Sequence, residues 1–478
     1  MTKETTTVFV SGNFFALHPG HVRLLKFAAE CGDFLVVGVS ALQPSKDVPP
    51  PHERAEALRE LGLVNRVIIL ENGVEAYLRE LRPDVVVKGK EYEDRHNPEA
   101  AILRDYGGRI VFSSGESTYS AADLLAQDNK AASRLQLNIP ADYLRRHNLT
   151  TEKLAQSVAN FKKLSVAVIG DLIVDEYIMC EALGMSREDP TLVVSPQSTD
   201  RFIGGAGIVA AHAAALGATV RFFSVIGDDA VGQDAAKRLA DYKVEATLAV
   251  DDSRPTTLKQ RYRAQEKTML RVSHLRQHEI SLELQDRMAS AFEEICKSTQ
   301  LVIFSDFNYG CLPQRLVDRM TATAQKNGVL IAADSQSSSQ IGDISRFRNS
   351  ALMTPTEHEA RLALRDQTSG LAALGFNLLA KTASDRAFIT LGAAGVLVIT
   401  ADAAQPEHQT DRLPALNPHP RDVSGAGDSM LTAGAMALAT GASTWEAALI
   451  GSIAAAIQTA RVGNRPISSD EFLTFLRP

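Results

Sequence analysis

The sequence predicts a two-domain α/β protein, each domain a largely parallel β-sheet covered by helices. Three observations predict it. The chain has 478 residues, more than a single hydrophobic core usually organises. Two blocks, 7–125 and 165 to the C-terminus, alternate short β-branched runs with helical periodicity, the pattern of strand–helix–strand crossovers. Between them, from Ala126 to Lys163, the pattern turns polar, charged and helical, with Pro140 as punctuation. The expected boundaries are residues 1–126, a helical linker over 127–163, and residues 164–478.

In the first block, Thr7–Ser11, Phe34–Ser40, Arg66–Leu70, Val85–Lys88 and Ile110–Ser113 read as strands. His21–Cys31, Pro51–Leu61 and Val74–Leu81 carry the helical period between them. In the second block the strands are Ser165–Gly170, Val220–Val225, Leu301–Ser305, Val329–Ala333, Ala387–Thr390 and Val396–Ile399. Glu181–Arg201 and Thr256–Arg263 are β-rich with little helical signal and predict a small separate sheet, a lid. The Ala-rich run Ala447–Ala460 reads as a buried helix.

Composition narrows the function classes. Lys and Arg total 50 against 57 Asp and Glu, a net charge of −7, so the basic excess of a nucleic-acid binder is missing. The first residues lack the apolar core of a signal peptide, and no apolar run approaches the length of a membrane span. Cys31, Cys180, Cys296 and Cys311 are far apart without a C-x-x-C pair, which predicts reduced thiols and no zinc site. A cytoplasmic enzyme is expected, without nucleic-acid or membrane partners. Neither first strand–helix turn carries G-x-G-x-x-G, which argues against a dinucleotide-dependent dehydrogenase.

The first strand runs into Ser11-Gly-Asn-Phe-Phe-Ala-Leu-His18-Pro-Gly20-His21, which opens a helix. Gly12 permits a tight turn and Gly20 a close approach of ligand to backbone. The helix N-terminus offers free N–H groups and a positive dipole end to phosphate. His18 and His21 can donate hydrogen bonds to a phosphate whose charge rises in the transition state. In the second block, Asp422-Val-Ser-Gly425-Ala-Gly427-Asp428 precedes an apolar helix. Backbone N–H groups of Gly425, Ala426 and Gly427 form a nest for developing negative charge. Asp428 is placed to take a proton from an attacking hydroxyl.

These residues carry two resemblances. The H-P-G-H turn is similar to the H-x-G-H signature of the cytidylyltransferase-like nucleotidyltransferases, a Rossmann-like fold. Pro51–Leu61 with Glu53-Arg54, Lys88-Gly-Lys-Glu-Tyr92 and Ser117-Thr118 resemble further segments of that family. The resemblance implies attack of a phosphate on the α-phosphorus of ATP or CTP, with Mg²⁺ assisting. It implies His18 and His21 as transition-state donors and Gly12, Asn13, Phe14, Lys88, Ser117 and Thr118 at the nucleotide. Lys46 is a further phosphate-steering candidate.

The second block resembles the ribokinase-like (PfkB) sugar kinases, an α/β/α fold with a small β-sheet lid, over Lys163–Pro478. The resemblance rests on Gly170-Asp171 with Asp175, Gly204-Gly205-Ala-Gly207, Ser305-Asp306-Phe-Asn308-Tyr-Gly310, Thr356-Glu-His-Glu359, Thr390-Leu-Gly392-Ala-Ala-Gly395 and the Asp428 segment. It implies Asp428 as general base and Gly425–Gly427 as anion hole. Asp171, Asp175, Gly204, Gly205 and Asp306 would bind sugar, and Thr390, Gly392 and Gly395 the nucleotide. Glu359 would organise Mg²⁺ through water. ATP would be the phosphoryl donor, the site admits a monovalent cation, and the lid would make a homodimer contact.

The pairing of a sugar kinase with a nucleotidyltransferase resembles the bifunctional heptose-phosphate kinase/adenylyltransferases, with the halves in reverse order; Arg187-Glu-Asp-Pro190 belongs to the same likeness. Such a chain would phosphorylate a heptose-like sugar and couple a sugar 1-phosphate to a nucleotide. Those kinases usually carry Asn at Ile208, Lys at Tyr309 and Pro-Lys-Gly at Ser335-Gln336-Ser337. The loss of two cations predicts an acceptor without a remote phosphate. Two alternatives stay open: a CTP-dependent pair acting on a polyol or other alcohol, and a kinase whose nucleotidyltransferase half is non-catalytic.

Overall fold

The computed structural model describes residues 6–15, 19–43, 48–89, 97–113, 137–186, 189, 191–264, 267–337, 342–401 and 410–476. The chain divides into two compact units, Met1–Arg134 and Leu135–Pro478.

The first unit is built on five parallel strands: β1 (Thr7–Gly12), β2 (Phe34–Ser40), β3 (Arg66–Leu70), β4 (Val85–Gly89) and β5 (Arg109–Ser113), in the order β3-β2-β1-β4-β5. Their Val-rich runs bury both faces of the sheet, as a helix-covered parallel sheet requires. Val8 and Val10 pack into one apolar layer with Leu25, Leu35 and Ala55, while Phe9, Val36 and Val86 pack into the other. The chain winds outward from β1 to β3 and returns to β4 on the other side of β1. The carboxyl ends of β1 and β4 therefore flank a topological switch point, where ligands of open parallel sheets bind.

The second unit contains a nine-stranded sheet. Its strands are β6 (Ser165–Gly170), β9 (Thr219–Ile226), β10 (Glu245–Val250), β13 (Leu301–Asp306), β14 (Leu330–Ser335), β15 (Leu352–Met353), β16 (Arg386–Thr390), β17 (Val396–Thr400) and β18 (Thr410–Leu413). The order is β10-β9-β6-β13-β14-β15-β16-β17-β18, parallel up to β16 and antiparallel beyond it. Large apolar cores lie on both faces. The expected lid is a separate four-stranded sheet, β12-β11-β7-β8, formed by β7 (Leu172–Met185), β8 (Leu192–Gly205), β11 (Thr257–Ala264) and β12 (Lys267–His274). β7 starts buried in the core and ends exposed, so one strand joins lid to body. The Ala-rich helix spans Thr444–Thr459 and is buried nearly throughout. Among the described residues no helix is long and apolar enough to cross a membrane.

The stretch expected as a helical linker packs with the second unit. Residues 137–163 belong to the second unit, and Tyr143, Leu149, Leu154, Val158 and Phe161 are buried in its core. Leu154, Val158 and Phe161 recur at helical spacing and give the helix Thr151–Asn160 a face that must be covered. The Tyr143 hydroxyl donates to the Trp445 carbonyl at 3.0 Å, which fastens this segment to the buried helix. Leu144, Leu149, Leu154 and Phe161, read from the sequence as possible anchors of this segment, are among the residues that dock it here. Residues 127–136 lie outside the described residues.

Candidate functional site

In the second unit, a cavity of about 830 Å³ opens between the lid sheet and the carboxyl ends of the main strands. Asp175, Gly205, Thr390, Gly392, Gly395, Glu359, Gly425, Ala426, Gly427 and Asp428 all line it. Residues separated by 250 positions in sequence thus face one space.

The turn at Gly425 explains how Asp428 is presented. Gly425 has φ 75° and caps the helix Ala426–Ala439, and a Cβ there would overlap Asn464 Oδ1, so glycine is required twice over. Nothing stands within 4 Å of a Cβ built on Gly427, which faces open cavity. Amides in the first turn have no intrahelical acceptor and are available to an anion. Asp428 is only 4 % exposed. Burial first, and then the charge of Asp175, push its carboxyl up to about 7, against the opposing pull of Lys259. A carboxylate so placed is a competent base near neutral pH.

The acceptor end carries Asp175. Its Oδ2 fills the place a Gly204 Cβ would take, so Gly204 is there to admit that carboxylate. Gly205, at φ 58°, caps the helix Ala206–Ala215 and lets the Asp171 carbonyl approach closely.

Two expected sugar ligands face away from this cavity. Asp171 is buried and does not line the cavity; its oxygens accept the amides of Phe307 (2.8 Å), Tyr309 (3.4 Å) and Cys311 (3.2 Å). Asp306 is likewise off the cavity, accepting from the Ser335 hydroxyl and pairing with Arg346, both at 2.9 Å. Both carboxylates hold the 305–311 loop, because a carboxylate buried away from substrate must find local donors. Short polar motifs do not reveal which of their acids turns inward.

Glu359 is held by a capping box: its Oε2 accepts from the Thr356 amide at 2.8 Å and its Oε1 from the Ser337 amide at 2.7 Å. Beside it lies Asp334, a cavity residue that motif reading missed. Asp334 is buried, its Oδ1 has no hydrogen-bond partner among the described residues, and burial followed by the charges of Glu359 and Asp428 drives its carboxyl well above the usual range. Among the described residues no cluster of three or more His, Cys, Asp or Glu forms a ready-made metal cage. An orphaned buried carboxylate oxygen beside a second carboxylate instead fits Mg²⁺, which keeps several waters and shares its shell with substrate phosphates. Asp334 and Glu359 would be the residues to hold it.

The lid contributes a second missed set. Lys259 and Arg261 alternate on β11 and so share one face; Arg271 and Ser273 stand opposite on β12, and all four line the cavity. Arg261 and Arg271 are direct cross-strand partners, a like-charge pairing that is unfavourable without an intervening anion. Arg261 reaches Asp175 at 3.4 Å, while its buried Nε has no partner among the described residues. The Lys259 ammonium sits 5.1 Å from the Tyr309 ring centroid and is in no salt bridge among the described residues. The signal in the sequence was the i, i+2 spacing of basic residues in a strand already expected to form the lid.

In the first unit, Gly12, Asn13 and Phe14 sit at the end of β1 by the switch point. Phe14 is buried in the left-handed region (φ 46°), its ring 5.0 Å from that of His21. Lys88, at the end of β4, pairs with Glu99 at 2.9 Å. Arg54, buried, ties three segments together by donating to the carbonyls of Asn13, Leu42 (2.8 Å) and Pro49 (2.9 Å), with its guanidinium 5.2 Å from the Phe15 ring centroid. His18, Lys46, Lys90–Tyr92, Ser117 and Thr118 lie outside the described residues, as do Arg187, Glu188 and Pro190 of the lid.

Comparison with known proteins agrees with both halves. Residues 163–470 match the family model described as pfkB family carbohydrate kinase, and residues 9–105 the one described as cytidylyltransferase-like. The bifunctional protein HldE of Rhodopseudomonas palustris (strain HaA2) is 30% identical over 333 residues, which cover 68% of this chain and 66% of that protein. The bifunctional protein HldE of Bradyrhizobium diazoefficiens is 30% identical over 337 residues, 69% of this chain and 66% of that protein. The matched region thus spans just under two-thirds of these relatives' length. Among solved structures, phosphofructokinase-2 from Escherichia coli aligns with TM-score 0.54 at 17% identity, covering 66% of this chain and 98% of that one. Arabidopsis thaliana ribokinase, complexed with ribose and ATP, aligns with TM-score 0.51 at 19% identity, covering 66% and 98%. At these identities the two structures establish the fold alone.

Proposed function

The chain belongs to the pfkB family of carbohydrate kinases, and from that premise we propose that it is a bifunctional sugar-activating enzyme. The second unit transfers the γ-phosphoryl group of ATP to a hydroxyl of a heptose-like sugar. The first unit couples a sugar 1-phosphate to a nucleoside triphosphate, releasing pyrophosphate. The observation that carries the kinase reading is Asp428 at the mouth of an open helix N-terminus, facing a cavity with its proton affinity raised to about 7.

Asp428 accepts the proton of the attacking hydroxyl as its oxygen bonds to the γ-phosphorus and ADP departs. The first-turn amides behind Gly425 receive the charge developing on the transferred group. Asp175 orients the sugar by accepting from its hydroxyls. Asp334 and Glu359 would hold Mg²⁺, which would offset phosphate charge when bound. Thr390, Gly392 and Gly395 flank the nucleotide. A monovalent cation is a further candidate component of this end of the site.

The acceptor reading departs from the expectation of an unphosphorylated sugar. Lys259, Arg261 and Arg271 offer in the lid the cationic anchors that Tyr309 and Ser335–Ser337 do not, and they favour an acceptor carrying a phosphate.

In the first unit, His18 and His21 donate to the α-phosphate as the pentavalent state forms, with ATP or CTP as donor. The whole protein incubated with Mg²⁺, ATP, CTP and a panel of free and phosphorylated sugars is expected to yield a nucleotide sugar, identified by mass spectrometry, together with pyrophosphate. His18→Ala should stop pyrophosphate release by removing a donor worth roughly 10²–10³ in rate. A sugar phosphate accumulating with no pyrophosphate from the parent would leave the first unit non-catalytic.

The chain is taken to act in the cytoplasm as a homodimer closed through its lids. Leu183, Met185, Leu192 and Val193 expose apolar side chains at the tip of the β7–β8 hairpin, where a second copy would cover them. Light scattering on the parent and on Leu183→Glu/Met185→Glu is expected to give dimer and monomer; a parental monomer would end this reading.

A further inference from the structure

We propose that Gln336 is a positioning residue for phosphoryl transfer, its side-chain amide holding one oxygen of Asp428 so that the other faces the acceptor hydroxyl. The inference rests on the reading of Asp428 as the base and adds a residue that reading does not use.

The geometry begins with the backbone. Gln336 follows β14, and three contacts clamp it in place. Its amide donates to the Asp306 carbonyl at 2.9 Å, its carbonyl accepts from Asn308 Nδ2 at 3.0 Å, and the next amide, Ser337, donates to Glu359 at 2.7 Å. Asn308 itself is held in the left-handed region at φ 60°, a conformation that costs energy and persists only where surroundings over-determine it. The inward-turned acid Asp306 thus acquires a purpose: it and Asn308 fix the segment from which the Gln336 side chain projects into the cavity.

From that mount, Gln336 Nε2 donates to Asp428 Oδ1 at 3.3 Å. Among the described residues Asp428 Oδ2 has no hydrogen-bond partner. The surroundings push the base the other way: Asp175 bears on it from the acceptor end, and Asp428 in turn bears on Asp334. Asp334, two residues before Gln336 on the same segment, lines the same cavity, so the neutral amide meets Asp428 on the side of a second buried carboxylate. Without that donor the carboxylate is free to rotate away from its neighbours. Misplacing a reacting group by about 1 Å can cost on the order of 10²-fold in rate.

Gln336→Leu removes the donor at similar volume; Gln336→Lys keeps an N–H donor at the same place. Both are compared with the parent full-length protein and with Asp428→Asn, using ATP, Mg²⁺ and heptose 7-phosphate with ADP release as readout. Nucleotide binding by calorimetry and melting temperature are measured alongside. Gln336→Leu is expected to lower kcat about tenfold or more while KM for ATP, nucleotide affinity and melting temperature stay at parental values. Gln336→Lys should recover most of that kcat. A parental kcat in Gln336→Leu would overturn the proposal, as would a loss shared by kcat, nucleotide affinity and melting temperature. If Asp428→Asn turns over like the parent, the base assignment has failed and takes Gln336's role with it. If Asp428→Asn is inactive and Gln336→Leu is parental, only the role of Gln336 has failed.

Discussion

Asp428→Asn is expected to abolish phosphoryl transfer while leaving ATP bound. The amide keeps the shape of the carboxyl but cannot accept the hydroxyl proton, and general bases contribute roughly 10²–10⁴ in rate. The same residue sets the pH response. Burial and Asp175 raise its carboxyl to about 7, and only the ionised form is a base. The kinase kcat/KM should therefore rise as pH increases toward about 7 and level off above it. A profile flat from pH 5.5 to 8 would place the base elsewhere.

The stability consequence has a definite sign. The folded carboxyl binds its proton more tightly than the unfolded one, at 3.8. Between those values the native state therefore holds more protons than the unfolded state, and stability falls as pH rises through the window. Fully ionised, the group costs on the order of 4 kcal/mol. Asp428→Asn removes that cost, so in EDTA its melting temperature should exceed the parent's by more at pH 8 than at pH 5. An unchanged difference between the two pH values would mean that Asp428 is not strained by its charge.

Lys259→Met and Arg261→Met are expected to raise KM for a phosphorylated acceptor while sparing ATP. A charge-assisted hydrogen bond contributes about 1.5–3 kcal/mol, so each change should cost roughly 10- to 100-fold in kcat/KM. Removing Arg261 relieves its like-charge pairing with Arg271 but also deprives buried Asp175 of its ion pair, so Lys259→Met is the cleaner variant for the acceptor reading. The discriminating measurement is the ratio of kcat/KM for a sugar phosphate to that for the corresponding free sugar. If both fall together, the lid cations shape the cavity without reading a phosphate.

Much of the architecture was legible because it is local. Strands at Phe34–Ser40 and Arg66–Leu70 appear as expected, since β-branched runs between helical segments have few other ways to bury themselves. The Gly425 turn was legible because a glycine pair ahead of an apolar helix marks a backbone few residues adopt, and the turn has the positive φ that glycine supplies. The apolar stripe of 137–163 was legible too, but not its partner: that it lies against the helix Thr444–Thr459 depends on contacts about 300 residues apart. Lys259 and Arg261 were passed over because a basic residue in a strand says nothing of what its face opens onto.

The sequence by itself determined two α/β units, the sheet-and-helix alternation of each, the glycine turns, and the acids and histidines of both motifs. These follow from periodicity and from backbone conformations that few residues adopt. Only the tertiary structure decided which acids face the cavity: Asp175, Asp334, Glu359 and Asp428 line it, while Asp171 and Asp306 turn inward to brace a loop. The physical reason is that a carboxylate's role is set by the donors and charges around it, and those arrive from strands and turns far away in the chain.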